Sequence, residues 1–198
     1  MIRSELCKVA NDMSPATFNT HRRNGDLPFG LLQAEKHDAG GRTWSRFELH
    51  HAMLLIAAQT LASGQGVGWS EAAAILRASV GVTHVGMEPG GLVENLRRST
   101  IHCARIEFSR EDGSTSELHP RFKIMRGTLS EIVGSVERGV SRFNELQQLP
   151  FERVTVCSFV SVNLSQAWRV AAERAEALKI DFDADWEDGL PVGRLDNE

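Results

Sequence analysis

Between Ser14 and Asn24 the chain sets Thr17, Asn19, Thr20, His21, Arg22 and Arg23 around one large apolar residue, Phe18. Hydroxyls, a carboxamide and an imidazole offer hydrogen bonds to base edges, and neighbouring arginines neutralise phosphate. That is the chemistry of duplex recognition, or of a merely solvated helix face, rather than of bond making. Arg42 and Arg46, in "RTWSRF" (Arg42–Phe47), supply further cations of the same kind. Ser14, Thr17, Asn19, Thr20, His21, Arg22, Arg23, Arg42 and Arg46 are therefore the candidate DNA-contacting residues.

Other chemistries find little support in the spacing. Seven histidines and three cysteines invite a metal site, yet His50 and His51 are adjacent, about 100° apart on a helix rather than at the same-face i, i+4 spacing. His102 and Cys103 fall in a predicted strand, where neighbouring side chains face opposite ways. Cys7, Cys103 and Cys157 form no CxxC pair and read as buried thiols, Cys157 as inert packing in an apolar strand. "GQGVGW" (Gly64–Trp69) lacks the lysine–serine ending of a phosphate loop and reads as a helix break. No Ser-His-Asp or paired-carboxylate arrangement stands out. The expectation is a protein that is not an enzyme and takes no metal or cofactor.

Charge is distributed unevenly. The formal net charge is −4, but residues 181–198 alone carry seven acids against one arginine, a balance of −6. Residues 1–50 hold seven Lys/Arg and six Asp/Glu, so a DNA footprint there is local rather than global. The acidic end reads as solvent-facing chain, or as an arm that docks on a basic surface. The longest apolar run, "AMLLIAA" (Ala52–Ala58), is far too short to cross a bilayer, and no leader is read at the start. A soluble, cytoplasmic protein without a membrane partner is expected.

The elements that must position these residues follow from period and punctuation. Two short helices, about Ser4–Ala10 and Met13–Asn24, are joined by "NDM"; Ser14-Pro15 reads as an N-cap with proline at the first helical position, and Gly25 with Pro28 as a stop. Phe29–Gly41 is irregular, "RTWSRF" a short strand, and about Arg46–Ser63 the most apolar helix of the chain. Ser70–Ser79 is a further helix, presenting Ala73, Ala74, Ile75 and Leu76 to a core. Residues 81–91, rich in glycine, read as a linker. Two β-rich runs flank Asp112-Gly113, a hairpin signal. Leu129, Ile132, Val133, Val136, Val140, Phe143 and Leu146 then recur at steps of three and four, an amphipathic helix over Thr128–Gln148 that covers the sheet of its own module or, alternatively, pairs with its twin in a dimer. Arg153–Leu164 is a strand, and a last helix starts at Ser165 with Ala167, Trp168, Ala171, Ala175 and Leu178 on one side.

This order predicts an α+β protein: a mostly helical winged helix-turn-helix in residues 1–80, a linker at 81–91, a β-β-α-β-α module in 92–180 and an acidic tail in 181–198. "SELCKVANDMSPATFNTHRRNGDLP", followed by "GGRTWSRFELHHAMLLIAAQTL", resembles the N-terminal DNA-binding domain of the MerR-type family and its excisionase-like relatives. The matching positions are Leu6, Val9, Ser14-Pro15, Gly25, Leu27-Pro28 and Arg42-x-Trp44-Ser45 leading into a helix; "GWSEAAAIL" stands where such proteins carry a further helix. The resemblance covers about the first 80 residues. It implies a recognition helix in the major groove, a wing bearing Arg42, and Trp44 packing that wing. The sequence departs from the pattern in having Ala16 after Ser-Pro, a longer loop over Phe29–Gly41, and no long dimerising helix directly after residue 80, so effector chemistry is not carried over.

The leading expectation is a sequence-specific double-stranded DNA-binding transcriptional regulator. It would act as a homodimer, with the second module pairing or sensing a small-molecule or protein effector. The alternatives are an excisionase-like or architectural DNA-binding protein, and a protein-interaction module without DNA contact.

Overall fold

The first helix opens with the Ile2 N–H bonded to the Glu5 carboxylate at 2.8 Å, the reach-back of an acid one turn into a helix. This helix, α1 (Arg3–Val9), buries Leu6, Cys7 and Val9. Asn11 and Asp12 turn the chain in left-handed backbone (φ 56° and 54°), which their short polar side chains tolerate. α2 (Pro15–Asn24) follows, then α3 (Leu49–Gly64) and α4 (Trp69–Gly81). The computed structural model describes residues 1–29, 47–81, 100–110, 122–147 and 153–180. Arg42, Trp44 and Arg46, with the expected wing, most of the 81–91 linker, the hairpin tip and the acidic tail, lie outside them.

α3 is apolar on nearly every side, burying Leu49, His51 and every residue from Ala52 to Ala58, as well as Leu61. A helix of that kind must be covered all round. It begins at Leu49, later than the sequence suggests, and the Glu48 N–H donates to His51 Nδ1 (2.9 Å) in its first turn. α4 buries Ala72, Ala73, Ile75 and Leu76; Ala74, expected in the core, faces outward.

The second half has the expected β-β-α-β-α order: β1 (His102–Arg110), β2 (Phe122–Gly127), α5 (Leu129–Leu146), β3 (Val154–Asn163) and α6 (Leu164–Ala177). The sheet is antiparallel in the order β2-β1-β3, with His102 opposite Gly127 on one side and Asn163 on the other. Side chains alternate across it. Cys103 and Val162, with Ile124 and Val160 packed against them, belong to the core built on α3, α4 and α6; Ala104 and Ile106 face α5's Ile132 and Val136. α5 starts at a capping box in which the Thr128 hydroxyl accepts from the Glu131 N–H (3.3 Å) and the Glu131 carboxylate takes the Thr128 N–H (2.8 Å).

Two sequence expectations need correction here. Cys157 is exposed, because an irregularity in the β1–β3 register leaves it unpaired between Val156 and Ser158. Leu178, placed by periodicity on the buried side of the last helix, is exposed because α6 ends at Ala177 and the chain turns at Lys179 (φ 51°).

One continuous core joins both sides of the 81–91 segment: Leu6, Phe18, Leu54, Leu55 and Leu76 from the first part, Ile101, Leu164, Trp168 and Ala171 from the second. Arg105 of β1 also pairs with Glu71 of α4. Leu55→Ala, at the fully buried centre of α3, is expected to cost about 2–5 kcal/mol. Urea unfolding followed by helix signal and by tryptophan fluorescence should shift in one coincident transition.

His51 is held neutral. Its ring packs edge-on against Phe29 (4.6 Å) and touches His50 (3.8 Å); burial first, then the neighbouring imidazole, push its pKa down to about 2. In the unfolded chain the group titrates near 6.5, so below that pH the unfolded state binds the extra proton and stability falls with pH. Between pH 7 and pH 5 this group should remove about 2 kcal/mol, measurable as the difference in urea unfolding between wild type and His51→Gln.

Candidate nucleic-acid interface

Ser14 has extended backbone and its Oγ accepts the Thr17 N–H at 3.0 Å, closing the first turn of α2 as an N-cap does, with Pro15 next in line. The far end closes at Gly25 (φ 72°), where the Gly25 N–H returns to Arg22 O and the Asp26 N–H to His21 O (2.8 Å). Only Phe18 of this ten-residue helix is buried. Its ring meets Phe47 edge-on at 5.7 Å. One apolar anchor is thus all that α2 gives the core, and its remaining circumference is polar.

The candidate side chains on α2 divide by their partners. Arg22 and Arg23 are exposed, as are Thr17 and Thr20. The Thr17 hydroxyl lies 2.8 Å from Ser14 Oγ, and the Thr20 hydroxyl donates back to Ala16 O (3.0 Å). Asn19 Oδ1 accepts from the Arg3 guanidinium (3.1 Å), which brings a third arginine to the helix from α1. His21 turns instead toward α4, its ring stacked on Trp69 at 4.1 Å and 18°. Burial holds its pKa below the ordinary value against the pull of Asp26, so at neutral pH it is an uncharged ring.

α4 fixes the carboxyl end of α2 from a distance in sequence. Trp69 Nε1–H donates to Asp26 O (2.8 Å), and the Arg77 guanidinium donates to Gly25 O and Leu27 O, both at 2.7 Å. These carbonyls follow the helix and would otherwise need water. Trp69 and Arg77 carry no signal in the sequence beyond their place on a helix, and their role appears only once α4 folds back on α2. Arg3 was missed for the same reason.

The described residues that bracket 30–46 lie together: Phe29 and Phe47 are both buried, with ring centroids 6.3 Å apart. The Phe47 N–H donates to Met1 O (2.8 Å), tying that root to the start of α1. The two described residues that flank the segment holding Arg42 and Arg46 therefore sit together, with Phe47 against Phe18 of α2.

No protein-family model matches this chain, and no curated protein matches it. The site must be judged on its geometry. Among the described residues no group of three or more His, Cys, Asp or Glu is placed to hold a metal ion, and no helix is long and apolar enough to cross a membrane.

Because Ser14 closes the first turn, Ser14→Ala should lower stability by about 1 kcal/mol, and Ser14→Asp should restore most of it. Thermal unfolding of the two variants checks this.

Proposed function

We propose that the protein binds double-stranded DNA through α2, as a sequence-specific regulator similar to the MerR type. One observation carries the reading: α2 buries only Phe18 and presents Thr17, Thr20, Arg22 and Arg23 to solvent. A short helix gains nothing for the core from such a composition, whereas a helix laid in a major groove needs hydroxyls for base edges and guanidinium groups for phosphates. The root of residues 30–46 beside Phe18 supports a second contact carrying Arg42 and Arg46. The neutral His21, stacked on Trp69, belongs to the support of the helix in this reading, with Arg3 added to the phosphate-facing cations.

In this proposal the protein is non-enzymatic and cytoplasmic, and it binds as a two-fold pair. The sheet module pairs the subunits or receives an effector. Selection of duplexes from a random pool should enrich one sequence, with half-sites in inverted repeat. Arg22→Ala and Arg23→Ala should each weaken binding to the selected duplex about tenfold or more, and each lost phosphate contact should lower the salt slope by about one. Affinity unchanged in both variants, with helix content intact, overturns the reading and favours a protein-interaction role. Binding without sequence enrichment favours an architectural one.

A further inference from the structure

Two well-exposed apolar side chains stand apart from the sheet: Ile2, just ahead of α1, and Leu178, just past α6. The helix directions bring them to one corner of the protein. α1 runs with α3, since the Phe47 N–H, two residues before α3, donates to Met1 O, and Gln59, late in α3, donates to Ala10 O. α6 packs along α3 in the opposite sense, because Gln65, past the end of α3, holds Ser161, three residues before α6. α1 and α6 also touch each other. The start of α1 and the end of α6 therefore lie together at the amino end of α3. There the Ile180 N–H closes on Ala175 O, and the Ile180 side chain packs on the core.

A line of cations begins at this corner. Arg3 follows Ile2, and its guanidinium reaches Asn19 Oδ1 on α2 (3.1 Å). Arg22 and Arg23 stand one turn further along α2, on the side of Asn19. All three arginines are exposed, and among the described residues none is paired with a carboxylate. Glu5, the acid of α1, is taken by the Ile2 N–H.

The chain continues from this corner with complementary chemistry. "DFDADWED" (Asp181–Asp188) sets five acids around Phe182 and Trp186. Eight extended residues span up to about 26–29 Å, against about 15 Å for the ten residues of α2. We propose that residues 181–188 dock on the start of α1 and on α2 of their own chain. Phe182, nearest the exit, covers Ile2 and Leu178, and the acids from Asp183 to Asp188 meet Arg3, Arg22 and Arg23 in turn. Trp186, among them, offers its ring to a guanidinium. Tethered beside its target, the acidic run competes for α2 at a local concentration on the order of millimolar, and so withholds that helix from a duplex. Arg110 and Arg153 are poorer targets. They stand at the far end of a sheet that Gln65 ties to the opposite end of α3.

The docking is independent of the DNA reading; only its consequence, an α2 withheld from duplex, rests on that reading. A benzophenone side chain in place of Trp186 in the full chain, irradiated at low micromolar concentration, should cross-link within one chain to residues 1–24. Asp183→Asn, Asp185→Asn, Glu187→Gln and Asp188→Asn together should lower the yield about tenfold, as should Arg22→Ala with Arg23→Ala, with helix content unchanged. The amide variant should also bind the selected duplex about tenfold more tightly, and that duplex should suppress the cross-link. Cross-links that fall elsewhere, join two chains, fail to form or ignore these substitutions overturn the proposal, whether or not the chain selects a duplex. Unchanged duplex affinity in the amide variant overturns the withholding of α2. The expected cross-link in a chain that selects no duplex upholds the docking and defeats only the DNA reading.

Discussion

A helix that is apolar on every side cannot be left on a surface, and α3 is such a helix. From Leu49 to Leu61 it buries residues facing all directions, including the side chain of His51, which it keeps uncharged. The helices of the amino-terminal part cover only some of that circumference. α1 and α4 lie on one part of it, and α6 and β3 on another. The remaining cover has to come from beyond residue 100, and Leu164, Trp168 and Ala171 supply it. The β-β-α-β-α module is thus the other wall of a shared core as well as an appended unit.

That constraint frees α2. Since α3 draws its cover from α1, α4 and α6, α2 need contribute only Phe18, and the rest of its surface is released from packing. Its orientation is set at three points instead: the Phe18–Phe47 contact, the stacking of His21 on Trp69, and the Arg77 guanidinium on the two carbonyls that follow the helix. A polar helix held by its ends and one anchor presents a rigid face at little expense to the core. Rigidity of this kind is what groove recognition asks of a helix, because misplaced donors forfeit their hydrogen bonds.

Local chemistry made much of this legible. Ser14-Pro15 and Gly25 mark the ends of α2, which starts at Pro15, two residues after the expected Met13; the period from Leu129 marks α5, and the apolar density of α3 announces burial. What the sequence hid depends on contacts between residues far apart in the chain. Arg77 reads as an ordinary surface arginine until Gly25 and Leu27 are brought to it, and Gln65 as loop polarity until Ser161 arrives. Periodicity also overstates burial. It counts Leu129, Val133 and Leu146 with Ile132 and Val136, but a three-stranded sheet is too narrow to cover so wide a stripe, and Leu129 and Val133 on one edge of it and Leu146 on the other stay uncovered. Cys157 was misplaced for a related reason, since a shift in strand register cannot be read from alternation alone.

The same helix that organises the core also tethers the turn before α2 and the edge of β3. Gln59 of α3 donates to Ala10 O at the turn that leads into α2, and Gln65, one turn and a half further on, holds Ser161 on the edge of β3. The turn before α2 and the edge of β3 are therefore both tied to the carboxyl end of one buried rod. Under the proposed pairing, two copies related by a two-fold axis would hold their α2 helices at a set separation. A protein built this way should discriminate half-site spacing as sharply as half-site sequence, because adjusting the spacing would require α3 to move within its own core.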